Sequence, residues 1–577
     1  MAPNKYYPQL EVGNKNYTEA AVVIIGAGIS GICTAINLLN NNIHNFVIVE
    51  KSGGLGGTWR DNKYPGCCCD INSHLYSYSF EQNPNWSRLY PGQEEMLRYL
   101  HTVAEKYKLF RYIRFNSSVK EARWDGEARK WKTAIEVTGS KDAEFADHYT
   151  LNSDFLVSAV GQLNSPYYPS IPGIEEFQGK IIHTSRWDWT YDYKGKRIGI
   201  IGNGATAAQV IPSVAPDAAQ LTVFQRTPNW LLPRYDAAVW KPFRLLFKYF
   251  PFSLWKIRAW MMDFREAFFT VIQDQGSGWA AYAQKNSIDM LKKQIPNRPD
   301  LWEKLVPNYP VGCKRVIVSD DYYPTFTRDN VTLETNPIEK ITKNGITVEG
   351  GIEHEFDLIV LATGFRTVEF MHPIQLYGAN GRALSDIWRD GAHALYGVTV
   401  DSLPNFAMLY GPNTNLGHNS IILMIESQAK YIHALISQVL EARQQGQSLA
   451  IMPNPKRTVA FNEEIQETLG KTSFAHPNCR SWYKRADGKI TNNWSSTVVE
   501  YQKTLSKVDW TDFILEGYGA EQLATKKRKT YLGRVREESL FTYRDWVFVM
   551  AGLLGTWGIW AVKGKGALEG FRSWVSF

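Results

Sequence analysis

The sequence has few of the features that mark secreted, metal-binding or nucleic-acid-binding proteins. Only six of its 577 residues are cysteine, and no two of them form a C-x-x-C pair or a metal-ligand spacing. Cys67, Cys68 and Cys69 are consecutive, which suits an ordinary disulfide poorly, so we expect the cysteines of this chain to be reduced thiols. Residues 1–17 are polar and contain no apolar signal region, which argues against secretion and favours a cytoplasmic catalytic part.

A strong charge of either sign is also lacking. The 64 Lys and Arg residues exceed the 57 Asp and Glu residues by only seven, and no basic block accompanies a nucleic-acid-reading motif. Nucleic acid is therefore not an expected partner, whereas phosphate-bearing small molecules or an anionic membrane surface fit this balance. The hydrophobic fraction of 44% is typical of a globular protein, and the length predicts two or three domains.

A first dinucleotide-binding motif lies near the N-terminus. The apolar run 20–25 predicts a buried parallel strand, and a helix-compatible stretch follows the glycines of a G-x-G-x-x-G turn, which are Gly26, Gly28 and Gly31. A second predicted strand ends at Glu50, which is 22 positions after Gly28. Because a carboxylate there accepts hydrogen bonds from free ribose hydroxyls, the pattern predicts a site for FAD.

A second motif of the same kind follows a strand predicted to end at Ile201. Its turn is formed by Gly202, Gly204 and Ala207, and alanine is tolerated at the third position. The next predicted strand leads into Arg226 and Thr227, where the first motif has its acid. Because an arginine at this point suits a ribose 2′-phosphate, the second motif predicts NADPH rather than NADH.

The two motifs predict an α/β protein with two Rossmann-like dinucleotide-binding domains, one for FAD and one for NADPH. The strand-plus-glycine segments 154–161 and 357–365 are expected to carry the chain between the domains. A helical insert and a C-terminal apolar tail complete the predicted fold. The predicted boundaries are 1–158 and 396–518 for the FAD domain, 159–231 and 313–395 for the NADPH domain, 232–312 for the insert, and 519–577 for the tail.

Two further patterns narrow the chemistry. One is G-G-x-W-x-x-x-x-Y-P-G-x-x-x-D, formed by Gly56, Gly57, Trp59, Tyr64, Pro65, Gly66 and Asp70. The other is F-x-G-x-x-x-H-x-x-x-W-D, formed by Phe177, Gly179, His183, Trp187 and Asp188. With these fingerprints and both glycine motifs, the chain resembles the Baeyer–Villiger monooxygenases, a branch of the class B flavin monooxygenases, over about residues 15–520.

The resemblance implies a reaction in which NADPH reduces FAD and O2 adds at flavin C4a. The peroxyflavin then attacks a ketone substrate, and the adduct rearranges to an ester or lactone. Such chemistry needs a permanent positive charge near the reacting oxygen, and an arginine held by a carboxylate supplies it.

The resemblance also implies which residues act. It assigns the catalytic arginine to Arg315 and the acid that orients it to Asp70; a plain domain-linking salt bridge is the alternative interpretation. Lys314 is expected to join Arg226 at the 2′-phosphate, and His183 is expected to serve a hinge rather than act as a base. The remaining candidate cofactor-binding residues are Thr58, Trp59, Asp70, Tyr76, Gln162 and Trp482, of which Gln162 and Trp482 are as readily ordinary structural residues.

The C-terminal part differs in composition from the rest of the chain. Residues 546–562 form a run of 17 residues without a charge, with tryptophans at both ends and basic residues upstream. This length is at the lower limit for a spanning helix, so one interpretation is a membrane anchor that leaves the catalytic part in the cytosol. The alternative is an apolar arm that packs on the protein's own surface or on a partner chain.

Three other functions share parts of this layout. An N- or S-hydroxylating flavin monooxygenase uses the same cofactors, but its fingerprint normally lacks the Trp187–Asp188 ending. A disulfide reductase needs a redox cysteine pair beside the flavin, and Cys67 to Cys69 lack that spacing. A non-enzymatic nucleotide-binding scaffold would have no need for Arg226 and Arg315.

Overall fold

The computed structural model of the protein describes residues 18–138, 147–525 and 527–533. The strands of its first half are β1 (Glu19–Ile25), β2 (Phe46–Val49), β3 (Ile113–Arg114), β4 (Ser117–Asp125), β5 (Lys130–Val137), β6 (His148–Ser158), β7 (Lys180–His183), β8 (Arg197–Ile201), β9 (Gln220–Phe224) and β10 (Leu231–Leu232). Those of the second half are β11 (Ile317–Val318), β12 (Val331–Glu334), β13 (Ile338–Ile341), β14 (Gly345–Val348), β15 (Ile352–Glu355), β16 (Leu358–Leu361), β17 (Gln375–Tyr377), β18 (Phe406–Met408), β19 (Leu449–Pro453), β20 (Lys507–Asp509), β21 (Phe513–Gly517) and β22 (Lys529–Tyr531).

Helices lie between many of these strands. They are α1 (Ile29–Asn40), α2 (Thr58–Asp61), α3 (Gln93–Lys106), α4 (Ala205–Val214), α5 (Lys241–Tyr249), α6 (Pro251–Ala267), α7 (Phe269–Gln273), α8 (Gly278–Gln294), α9 (Pro299–Leu305), α10 (Tyr322–Thr325), α11 (Leu384–Ile387), α12 (Ile421–Gln444), α13 (Pro455–Gly470), α14 (Val498–Thr504) and α15 (Ala520–Thr525). The α/β prediction is therefore confirmed.

The first sheet is mixed and contains the N-terminal strand at its centre. Its order is β17-β4-β5-β6-β1-β2-β3, with β18 also paired to β6. Strand β1 pairs in parallel with β2 and β6, and its residues 20–25 are all buried. A strand that is apolar along its whole length is typical of a parallel sheet that is covered on both faces. Helices α1 and α12 pack against each other beside this sheet.

The second sheet is wholly parallel, in the order β12-β9-β8-β16-β7. The fingerprint segment 177–188 contributes its edge strand, β7, which pairs with β16. A separate antiparallel meander, β13-β14-β15, follows β12 in the chain. The glycine turn that opens at Gly202 leaves β8 and begins α4, so the βα arrangement matches that of the first sheet.

Two connecting segments join the sheets and are bonded to each other. The Tyr167 N–H donates to the Gly364 carbonyl at 2.9 Å, and the Arg366 N–H donates to the Ser165 carbonyl at 2.9 Å. The hydroxyl of Thr363 also donates to the Tyr167 carbonyl at 2.6 Å. The passages after β6 and β16 therefore form one paired connection rather than two independent linkers.

Helices α5 to α9 occupy the region predicted as a helical insert. Phe247, Leu254 and Met262 from α5 and α6 are buried in the same core cluster as the first sheet. Within the described ranges, no helix combines the length and apolar character needed to cross a bilayer. The segment 546–562, predicted as an anchor, lies outside the described residues. Ala520–Thr525 form α15 and Lys529–Tyr531 form β22, which pairs with β20, so folded structure extends beyond residue 518.

The turn between β1 and α1 tests how strictly the fold needs its glycines. A Cβ on Gly31 would lie 1.9 Å from the Gly26 carbonyl oxygen, a backbone atom that cannot rotate away. We expect Gly31→Ala to lower the free energy of unfolding by about 1–3 kcal/mol or more, because overpacking displaces α1. Thermal unfolding and flavin absorbance of the purified protein measure this. Gly470→Ala, where a Cβ meets open space, is the matched control and should be neutral.

Candidate cofactor and active site

The first glycine turn leaves a helix N-terminus open to a ligand. Gly26 has a φ of 106°, and a Cβ there would lie 2.7 Å from the Ala159 carbonyl oxygen. Gly28 is the extended N-cap of α1, and no side chain caps this helix. The N–H groups of the first turn and the positive end of the helix dipole are therefore available to a phosphate.

Glu50 is 5% exposed and organises the region that follows β2. One carboxylate oxygen accepts from the Ala27 N–H at 2.8 Å, and the other accepts from the Ser52 N–H at 2.8 Å. Each oxygen keeps further acceptor capacity. The side chain thus joins the glycine turn to the next loop while it can still receive hydroxyl donors.

The glycine-rich loop 53–70 lies between the two domains. Thr58 is exposed at the start of α2, whereas Trp59 is buried and meets the Tyr76 ring edge-on at 5.9 Å between centroids. The Tyr64 hydroxyl donates to Gln209 Oε1 at 3.0 Å, and Gln209 belongs to α4 of the second domain. This contact holds the loop that carries Asp70 against the other nucleotide fold.

Arg315 and Asp70 form a bidentate ion pair at this junction. Arg315 Nε is 2.5 Å from Asp70 Oδ2, and Nη2 is 2.7 Å from Oδ1. Burial would raise the pKa of Asp70, but the guanidinium of Arg315 outweighs it and holds that pKa below its usual value. Burial likewise opposes the charge of Arg315, and Asp70 reverses this, so the pKa of Arg315 is raised. Both groups are therefore charged.

Tyrosines and an amide complete the surroundings of this pair. Tyr410 and Tyr483 lie near Arg315 and are neutral phenols, and burial raises the pKa of Tyr483 to about 12. Gln162 is buried, and its Nε2 donates to the Tyr410 carbonyl at 3.0 Å. Its Oε1 is buried without a hydrogen-bond partner among the described residues. A polar ligand would satisfy that oxygen.

Two contacts at the site lie outside the sequence patterns. Glu266, at the end of α6, accepts from Asn419 Nδ2 at 2.7 Å and from the Val498 N–H at 3.0 Å. The neighbouring Arg265 helps to lower the pKa of Asp70. Sequence reasoning missed both, because the insert carries no motif; its only signal is the two acidic residues, Asp263 and Glu266, near the end of a largely apolar and basic helix.

The cysteines near the site differ from the prediction. Cys313 and Cys479 are buried and joined in a disulfide, so the expectation of reduced thiols is wrong for this pair. Cys67, Cys68 and Cys69 are free, as predicted. The disulfide brings the segment that begins with Lys314 beside the one that leads to Trp482. A pair 166 positions apart has no signal in local spacing.

The second glycine turn repeats the geometry of the first. Gly202 has a φ of 111°, and a Cβ there would lie 2.5 Å from the Ala362 carbonyl oxygen. Gly204 is the N-cap of α4, again without a side-chain cap. Ala207 is fully buried, so a methyl group fits between helix and sheet at the third position of the motif.

Arg226 and Lys314 lie close together at the end of β9. Burial and the charge of Arg226 lower the pKa of Lys314 to about 8. Neither cation forms an ion pair with a carboxylate in the described part of the chain. Asn203 Nδ2 donates to the Thr227 carbonyl at 2.8 Å and so fixes the loop after Arg226. Two adjacent cations without a counter-charge suit a dianionic phosphate.

Trp482 lies at the surface and is 37% exposed. Its carbonyl accepts from the Thr367 hydroxyl at 2.9 Å and from Asn492 Nδ2 at 3.1 Å. Its ring is 4.5 Å from the ring of Tyr483, the buried tyrosine near Arg315. The structure thus brings Trp482 to the same region, with its indole open to solvent.

His183 of the fingerprint is buried at the paired connection between the domains. Its ring lies 5.2 Å from the Tyr168 ring and 6.3 Å from the Phe365 ring, one from each connecting segment. The Ser185 N–H donates to His183 Nδ1 at 3.2 Å. Burial lowers the pKa of His183 to about 4, so the imidazole is neutral at physiological pH.

The chain is similar to flavin-dependent enzymes over most of its length. A family model described as flavin-binding monooxygenase-like matches residues 19–255. The chain is 52% identical to the FAD-binding monooxygenase ktnD of Aspergillus niger, over 92% of this chain and 87% of that protein. It is 38% identical to a Baeyer–Villiger monooxygenase of Streptomyces coelicolor, over 85% of this chain and 92% of that protein. The solved structure of OTEMO with FAD and NADP superposes with a TM-score of 0.75 at 27% identity, over 89% of this chain and 99% of that one.

The lowered pKa of Lys314 predicts a pH-dependent affinity for a ribose 2′-phosphate. Below a pH of about 8 the ammonium is charged and attracts the phosphate; above it the charge is lost in the free protein. We expect the dissociation constant of 2′,5′-ADP to be level near neutral pH and to rise by up to about tenfold per pH unit above 8.

Titration calorimetry measures this affinity between neutral and mildly alkaline pH. Lys314→Arg is the matched control, because a guanidinium keeps its charge throughout this range and should give a flat profile. The same alkaline rise in Lys314→Arg would show that another group is responsible.

Proposed function

Because the chain belongs to the flavin-binding monooxygenase family, we propose how its own residues carry out the family's reaction. The protein is an FAD- and NADPH-dependent monooxygenase of the Baeyer–Villiger type, which inserts one oxygen atom from O2 beside a ketone carbonyl to give an ester or lactone. The bidentate Arg315–Asp70 pair is the single observation that carries the residue assignment.

Arg315 is proposed as the catalytic cation. Its guanidinium cannot act as an acid at physiological pH, so it stabilises negative charge on oxygen without protonating it. Asp70 binds two of its nitrogen atoms and leaves Nη1 directed towards the Leu416 carbonyl at 3.4 Å. The carboxylate therefore fixes the plane of the guanidinium and keeps its charge in place during turnover.

The residues of the first nucleotide fold fit FAD. Gly26, Gly28 and Gly31 shape the open N-terminus of α1 for the pyrophosphate, and Glu50 receives ribose hydroxyls. Thr58, Trp59 and Tyr76 belong to the loop and aromatic pair that we propose to face the flavin, and Gln162 offers its unsatisfied oxygen. When bound, FAD supplies the reducible centre at which O2 is activated.

The residues of the second fold fit NADPH. Gly202, Gly204 and Ala207 shape the second open helix N-terminus, and Arg226 with Lys314 forms the cationic pocket for the 2′-phosphate. Thr227 is proposed to contact the same ribose, and Trp482 to cover the nicotinamide side. NADPH, when bound, supplies the hydride.

We propose that the fingerprint segment 177–188 serves as a hinge between the domains and takes no part in the chemical step. Its strand β7 is an edge strand, and the His183 ring lies against both connecting segments. A cleft of 580 Å³ separates Ser185, Arg186 and Trp187 from Arg60, Asp61 and Lys63 of the FAD domain. The Trp189 indole N–H spans this region to the Lys63 carbonyl at 2.8 Å. A ring held at the connection with open space beside it suits a hinge.

N- or S-hydroxylation is the runner-up function, because it uses the same two cofactors. The Arg315–Asp70 pair favours ketone oxidation over it. Action on a ketone of specialised metabolism, a cytoplasmic catalytic part and anchoring through residues 546–562 stay predictions from the sequence.

The catalytic assignment predicts a specific loss in Arg315→Ala. We expect flavin reduction by NADPH to continue, whereas ester formation falls by about 10²–10³-fold, the size of effect seen when one electrostatic stabiliser is removed. Stopped-flow absorbance follows reduction, and mass spectrometry follows the ester. Arg315→Lys keeps the charge but loses the bidentate geometry, so its rate of ester formation should lie between those of the wild type and Arg315→Ala. Wild-type ester formation in Arg315→Ala would refute the assignment.

The hinge assignment predicts that His183→Ala affects coupling more than reduction. The loss of a ring between Tyr168 and Phe365 loosens the connection, so the ester formed per NADPH consumed should fall while hydride transfer is largely kept. His183→Phe retains a ring without nitrogen atoms and should stay nearer to wild type. Equal losses of reduction and coupling in His183→Ala, or a defect in His183→Phe as large as that of His183→Ala, would rule out the hinge.

A further inference from the structure

Helix α5 presents an apolar surface to solvent rather than to the core. Of its apolar side chains only Phe247 is buried. Those exposed by at least 40% on α5 and its flanks are Trp240 (66%), Phe243 (49%), Leu245 (55%), Leu246 (40%), Tyr249 (67%) and Phe250 (64%). Scattered surface apolar residues are normal, but a continuous group on one short helix marks a surface that contacts something apolar.

The exposed surface continues onto α6. Trp260 and Phe264 are four positions apart, are 48% and 57% exposed, and stack with ring centroids 5.8 Å apart. The spacing puts both on one face of the helix. We call the exposed side chains of Trp240, Phe243, Leu245, Leu246, Tyr249, Phe250, Trp260 and Phe264 the α5–α6 face.

The charge of this region is mainly positive. Residues 237–264 contain five Lys and Arg residues and one acidic residue, Asp263, which is exposed on α6. Lys241 and Lys248 are exposed, and seven positions place them on the same side of α5, next to the apolar arc. Arg244 is bonded to the Val239 and Ser87 carbonyls and Arg258 is buried, so these two arginines are structural.

We propose that the α5–α6 face docks the protein on an anionic lipid membrane surface. Aromatic and leucine side chains on one arc of a helix, with lysines along its border, are the composition of helices that lie in the plane of a bilayer interface. The lysines face the headgroups, and the tryptophans and tyrosine suit the boundary between headgroup and acyl chain. This mode needs no helix that spans the membrane.

The positive charge beside the α5–α6 face favours an anionic membrane over a second copy of the chain as its partner. An isologous contact through this face would bring Lys241 and Lys248 of two copies together, and Asp263 is the one carboxylate of residues 237–264 that could balance them. An anionic lipid surface neutralises the same lysines. Charge complementarity therefore favours the membrane.

The α5–α6 face is packed against the segment that carries Tyr76, which the proposed function places beside the flavin. The Phe243 ring stacks on Phe247 at 6.2 Å, and Phe247 meets the His74 ring at 5.2 Å. Arg258 Nη1, from α6, donates to the His74 carbonyl at 2.7 Å and to the Leu75 carbonyl at 3.0 Å. The segment that carries Tyr76 is thus held by the docking helices, which brings the site close to apolar compounds dissolved in the membrane.

Vesicle co-sedimentation of the full chain tests the proposal. The wild type should bind phosphatidylcholine vesicles that contain phosphatidylserine more strongly than vesicles without it, and added salt should weaken binding. Lys241→Glu with Lys248→Glu should lower binding to the anionic vesicles by about tenfold or more, since each basic residue near an anionic surface contributes roughly fivefold. Tyr249→Ser with Phe250→Ser should lower binding to both kinds of vesicle.

Val459→Ser with Tyr518→Ser is the matched control, because these side chains are 53% and 47% exposed on other elements. It should bind like the wild type, and flavin absorbance should be unchanged in every variant. Wild-type binding by both α5 variants would overturn the proposal and assign any membrane affinity to another part of the chain. A wild-type dimer that Tyr249→Ser with Phe250→Ser converts to a monomer, without vesicle binding, would assign the face to a second copy.

Discussion

The ion pair between Arg315 and Asp70 is the constraint on which the rest of the site depends. It joins side chains 245 positions apart, one beside the NADPH fold and one on the glycine-rich loop of the FAD fold. Removing two charges from water is costly unless geometry and hydrogen bonds are good, so this half-buried pair is weak evidence for stability by itself. Here the bidentate geometry keeps a cation charged at the junction of the two glycine-turn folds, which is where the proposed reaction needs it.

Several longer-range contacts hold the two partners in place. The loop that carries Asp70 is fastened to α4 through Gln209, while the segment that carries Arg315 follows Cys313 and its disulfide to Cys479. The insert adds Glu266, which holds residues near the start of α12. The site is therefore built at the meeting of three regions, and motion between them bears directly on the charge pair. A hinge at the paired connection, beside His183, fits that arrangement.

The local parts of the fold could be predicted from the sequence, and the long-range parts could not. The turns at Gly26 and Gly202 and the positions of Glu50 and Arg226 follow from strand, turn and helix spacing within a single βαβ unit. The partnership of Arg315 and Asp70 came from the family resemblance, because no spacing rule links residues so far apart. Neither the local spacing of residues nor the family resemblance indicated the Cys313–Cys479 disulfide or the contacts of Glu266. Those contacts depend on how the insert and the C-terminal half fold back onto the FAD domain.

Conversion of ketones under ¹⁸O2 in the presence of NADPH tests the central claim most directly. If the protein is a Baeyer–Villiger monooxygenase, mass spectrometry of a ketone panel should show an ester or lactone that has gained one labelled oxygen atom. Labelled oxygen found only on nitrogen or sulfur compounds, with every ketone recovered unchanged, would contradict the account.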